Sequence, residues 1–279
     1  MFGTIVIGVE GRPQDAEALA LARQLGGPLA KLIAAHVATT GGGSAMAGTP
    51  EVAGGLLAEA EVIVKTFAAS ERGVEAIATS APTVAEGLHH IASGADADLL
   101  VLGASHHRLV GRFRSGEALC QIVRRAPCPV AICGAGHHAG GKLEQIVVGY
   151  DGSDLAEAAV GLAVELGGRD AAQVMAVEAI EPAMPLAVLP GATATGTLPD
   201  DHARVNADLD RLTARFGLHG VVQVGHAGPV LSEAARTADL LVAGYHDSGL
   251  LERLIRRSTS HALVREHRTP VLLIPPLAA

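Results

Sequence analysis

The feature that most constrains this chain is an internal repeat. "TIVIGVEG" at Thr4–Gly11 returns as "QIVVGYDG" at Gln145–Gly152, and "ADLLVLG" at Ala97–Gly103 returns as "ADLLVAG" at Ala238–Gly244. "CPVAI" at Cys128–Ile132 returns within "TPVLLI" at Thr269–Ile274, and the shift is 141 positions each time. A period of that length is far too long for a solenoid, so the 279 residues read as two copies of one domain in tandem. The expected bounds are residues 1–134 and 145–279, joined by the small, Gly-rich segment 135–144.

Each copy alternates short Val/Ile/Leu-rich runs with helix-period segments. In the second copy, strands are expected at Ile146–Tyr150, Gln173–Ala179, Val221–Val224, Leu240–Ala243 and Val271–Ile274. Helices are expected after Ser153, over Asp201–Phe216, from about Pro229 and over Ser258–Glu266. Leu155, Ala159, Leu162 and Leu166 would form the apolar face of the first of these. Apolar strands interleaved with helices predict an α/β fold: two tandem Rossmann-like domains, each a parallel five-stranded sheet with helices on both faces. Ligands of such sheets bind beyond the carboxyl ends of the strands, near a topological switch point. Long loops opening at Thr40 and Glu181 follow the second strand of each copy and read equally well as binding loops and as insertions.

Composition excludes several function classes. Aromatics are 2% of the chain and Trp is absent, which removes the stacking platforms of single-strand nucleic-acid binders. The formal net charge of −8 argues against a polyanion-binding surface. The N-terminus runs straight into an apolar strand without a signal-peptide pattern, and no apolar run approaches the roughly 20 residues needed to span a bilayer. A soluble, cytoplasmic protein with no membrane partner is expected. Cys120, Cys128 and Cys133 lack metal-ligand spacing and read as buried, reduced thiols.

The opening strands ending in Glu10-Gly11 and Asp151-Gly152, the two "ADLLV-x-G" strands, the loop and helix after each, and the closing "PCPV" and "TPV" strands together resemble the universal stress proteins. The resemblance covers essentially the whole chain as a tandem, two-domain member, and implies a setting in stress adaptation or growth arrest. It also implies an ATP loop of pattern Gly-x2-Gly-x9-Gly-Ser/Thr, with an acidic residue at the end of the first strand that accepts bonds from the ribose hydroxyls. In such a loop, glycines let backbone N–H groups approach phosphate, a helix N-terminus adds partial positive charge, and the hydroxyl donates a further bond.

Both copies depart from that pattern. In the first, Gly103 and Gly116 match, but His106 and Glu117 stand where the second glycine and the hydroxyl belong, and Glu10 with Gly11 ends the first strand. In the second, Gly244 and Ser258 match, while Asp247 and Arg257 replace the glycines. A carboxylate beside a phosphate weakens binding by about a few kcal/mol before solvent screening. The second copy keeps Asp151 and Ser258 and has Arg256 or Arg257 to neutralise phosphate charge, which makes it the better nucleotide candidate, with Asp151, Gly152, Ser153, Val177, Gly244, Asp247, Arg257 and Ser258 as its residues.

Other constellations are weaker. The pairs His89-His90, His106-His107 and His137-His138 read as loop or surface histidines, because adjacent side chains diverge. His106, lying in the loop itself, also reads as a contact for an anionic ligand or a pH-sensing group. Ser153 lacks the Gly-x-Ser-x-Gly elbow of a nucleophile and reads as a helix N-cap. No P-loop is present. The expectation is a non-catalytic binding or regulatory module requiring no cofactor and no metal. The alternative is an ATP-binding protein, with or without slow hydrolysis, whose working site lies in the second domain. The resemblance further implies an internal pseudo-dimer of the two domains, meeting through the closing strands Val130–Cys133 and Val271–Ile274, with a homodimer of such units as a further step.

Overall fold

The computed structural model describes residues 2–40, 50–103, 115–134, 136–137, 141–180, 199–245 and 269–276. They form two compact units, Met1–Gly141 with Tyr245–Ala279, and Lys142–Gly244.

In the first unit, the chain runs β1 (Thr4–Gly8), α1 (Gln14–Gly26), β2 (Lys31–Thr39), α2 (Pro50–Ser70), β3 (Val74–Ala81), α3 (Val84–Gly94), β4 (Leu99–Leu102), α4 (Ser115–Arg124) and β5 (Val130–Ile132). The sheet order is β3-β2-β1-β4-β5, all parallel, so strand order reverses between β1 and β4. The closing strand of the second repeat, β10 (Val271–Ile274), joins this unit and pairs antiparallel with β5, setting Val271 opposite Ile132 and Leu273 opposite Val130. An apolar three-residue edge left unpaired would expose its ladder groups, and this pairing covers it.

The second unit runs β6 (Gln145–Tyr150), α5 (Asp154–Asp170), β7 (Gln173–Ile180), α6 (Pro199–Phe216), β8 (His219–Val224), α7 (Ala227–Ala235) and β9 (Leu240–Gly244). Its sheet order is β9-β6-β7-β8, again parallel. The expected α/β class, mostly parallel sheet and alternation of strands with helices are all present. The helix expected over Ser258–Glu266 lies outside the described residues.

Helices cover both faces of each sheet. A Cβ on Gly26 of α1 would lie 2.4 Å from Ile5 Cδ1, whereas a Cβ on Gly8 would lie 2.9 Å from Leu102 and 3.9 Å from Leu88 of α3. Alternate residues of β1 thus face α1 and α3, as the two-residue period of a strand requires. The second unit repeats this, with Gly167 of α5 against Ile146 and Gly149 against Leu231 of α7.

Two expectations are adjusted by the structure. The buried face of α5 is Ala156, Ala159, Val160, Ala163, Leu166 and Gly167. Leu155 and Leu162 flank it half-buried, because the sheet selects the small-residue stripe for close packing. The first long loop is also shorter than it looks in sequence, since Pro50 opens α2, with proline at a helix start where its missing N–H is not needed.

Candidate functional site

The carboxyl ends of β1 and β6 lead into two short turns that share a shape but are held differently. Both carry a glycine at positive φ, Gly11 at 75° and Gly152 at 78°, which lets the chain turn sharply from strand to helix.

In the second repeat, Asp151 and Ser153 organise the turn. Asp151 Oδ1 accepts from the Ser153 backbone N–H at 3.1 Å and from its hydroxyl at 2.6 Å. Ser153 Oγ then accepts from Ala156 N–H at 3.2 Å, the N-cap of α5 that the sequence predicts. Asp151 and Gly152 are exposed, and among the described residues nothing comes within 4 Å of a Cβ placed on Gly152.

In the first repeat, the organising group is Asp15, in the first turn of α1 and only 4% exposed. Its carboxylate accepts from Glu10 N–H at 3.1 and 3.0 Å, from Gly11 N–H at 2.7 Å and from Arg12 N–H at 2.9 Å. Three successive backbone donors thus converge on one side chain, a nest of the kind that binds anions. Glu10 turns outward and pairs with Arg12 at 3.3 Å. A Cβ on Gly11 would meet Ile63 of α2 at 3.3 Å, although Glu10 and Gly11 are as exposed as Asp151 and Gly152. Beside it, His36 Nδ1 lies 2.6 Å from Val9 O. Because a carbonyl only accepts, Nδ1 carries the proton.

The glycines that end β4 and β9 serve packing as well as any ligand. A Cβ on Gly103 would lie 3.3 Å from Gln14 O, and one on Gly244 would lie 3.0 Å from Leu155 Cγ. Each strand end therefore rests directly on the first residues of the helix after the opening strand. Gly116 and Glu117 fall in the first turn of α4. Val177 is buried within β7, in register with Gly149 and Val221, on the face that Gly149 presents to Leu231. His106, Asp247, Arg257 and Ser258 lie outside the described residues. The structure thus brings Asp151, Gly152, Ser153 and Gly244 to one end of the second sheet, and Glu10, Gly11 and Gly103 to one end of the first.

Sequence reasoning missed Asp15, Ile63 and His36. The signal for Asp15 lay in the repeat itself, which sets it opposite Ala156. Tyr245, directly after Gly244, was also missed. It is fully buried, and its N–H donates to Ile274 O at 2.8 Å. Burial and neighbouring Cys120 push its hydroxyl up to about 12, with Arg124 opposing.

The three cysteines are buried and joined by no disulfide. Burial, with Asp98 near Cys128 and Glu17 near Cys133, pushes both thiols up to about 12. They are therefore inert thiols, since reactivity needs the thiolate. Among the described residues no group of His, Cys, Asp and Glu is arranged to hold a metal ion, and no helix is long and apolar enough to cross a membrane.

A pair of parallel α/β units whose opening strands run into Gly-containing turns at the strand-order switch defines a Rossmann-like tandem protein. The sequence model of the universal stress protein family matches residues 1–134 and 142–275, and the chain belongs to that family. A curated universal stress protein of Mycobacterium tuberculosis is 27% identical over 188 residues, covering 64% of this chain. The match spans 62% of that relative's own length. The crystal structure of a universal stress protein from Archaeoglobus fulgidus superposes with a TM-score of 0.63 at 12% identity, covering 98% of this chain and 96% of that one. A universal stress protein solved in complex with cAMP is 25% identical over 48% of this chain and 98% of its own, with a TM-score of 0.36.

Proposed function

We propose that this chain is a non-catalytic binding or regulatory module of the stress response, with nucleotide loops that have lost ordinary ATP affinity. The observation that carries the reading is the local engagement of both acidic residues expected to meet a ribose. Glu10 is paired with Arg12, and Asp151 Oδ1 is committed to Ser153. These bonds orient each carboxylate within its turn and use part of its acceptor capacity, so a ribose hydroxyl meets a group that is already partly satisfied. The loop substitutions act in the same direction: His106 and Asp247 remove a glycine, and Glu117 and Asp247 add negative charge.

A second reading, adenine-nucleotide binding in the second domain with ATP as a switch ligand or slow substrate, draws support from the turn at Gly152, where among the described residues nothing comes within 4 Å of an added Cβ. Asp151, Gly152, Ser153, Val177, Gly244, Asp247, Arg257 and Ser258 would then form the site, and the first domain would not. On either reading the domains are 1–134 and 145–279 with 135–144 as linker, and the antiparallel β5–β10 pairing supports an internal pseudo-dimer of the two domains. Buried, reduced thiols suit a cytoplasmic setting.

Thermal denaturation of the full chain with ATP tests the choice. The first reading expects millimolar ATP to raise Tm by about 1 °C at most. A rise of about 5 °C or more that Asp151→Ala or Ser258→Ala abolishes overturns it in favour of the second.

A further inference from the structure

We draw no further inference here: the strongest candidate, the exposed face of α2 that carries Gly55, Ala58, Val62 and Ala69, is an unpartnered surface of mostly small residues, and nothing in the structure shows what covers it.

Discussion

Asp98 and Asp239, 141 positions apart, make the same clamp in the two repeats. Asp98 Oδ2 accepts from Gly3 and Thr4 N–H at 2.9 Å each, while its own N–H donates to Thr4 O at 2.9 Å. Asp239 Oδ2 accepts from Glu144 and Gln145 N–H at 2.7 and 2.9 Å, and its N–H donates to Gln145 O at 2.9 Å. The aspartate of "ADLLV" therefore ties the start of β4 or β9 to the start of β1 or β6, at the end of the sheet opposite the turns.

That clamp predicts a structural phenotype with no change at the turns. Asp98→Ala and Asp239→Ala should each lower stability by about 1 kcal/mol, since two N–H groups lose a partly exposed acceptor. The effects should add within about 0.5 kcal/mol, because the residues lie in different compact units. Denaturant titration of the two single variants and the double variant measures this, and strong non-additivity would contradict it.

Glycines at the ends of β4 and β9 should accept a methyl group only if their neighbours give way by a few tenths of an ångström. Gly103→Ala sets a Cβ 3.3 Å from the backbone oxygen of Gln14, and Gly244→Ala sets one 3.0 Å from Leu155 Cγ. Each is expected to cost about 1–3 kcal/mol, the Gly103 variant more, because a backbone oxygen yields less readily than a leucine side chain. Equal stability of Gly103→Ala and wild type in urea would show that the strand end is not packed on α1 as described.

Alkaline pH should weaken the fold through buried neutral groups. The Cys128 and Cys133 thiols ionise near 9.0 when unfolded and only near 12 when folded, and Tyr245 moves from 10.0 to about 12. The folded state keeps protons that the unfolded state has lost. Stability is then fully present below pH 9 and falls as pH rises toward 12, by up to about 1.4 kcal/mol per pH unit for each thiol. Denaturant midpoints at pH 7, 9 and 10.5 check the direction, and thiol-reagent labelling at pH 8 should proceed only after unfolding.

The strands, their order of occurrence and the pairing of the closing strands were legible in the sequence, because buried parallel strands announce themselves as unbroken apolar runs. The N-cap role of Ser153 was equally plain. A uniform 141-residue shift was less reliable than it looked. Thr4 pairs with Lys31, but Gln145 pairs with Gln173, so one residue is inserted between the helix and the second strand of the second copy. Asp15 escaped notice because an acid in the first turn of a helix is commonplace and its reach back to the nest depends on the turn's geometry. Gly103 drew attention as a phosphate glycine, whereas its contact with Gln14 is a fact of packing that no loop pattern encodes.

Calorimetric titration of ATP into the full-length chain tests the central claim most directly. If the loops are degenerate as proposed, wild type and Asp151→Ala will both show only weak heats consistent with a millimolar or weaker Kd. A micromolar Kd at one site per chain, lost on Asp151→Ala or Ser258→Ala, would contradict the account.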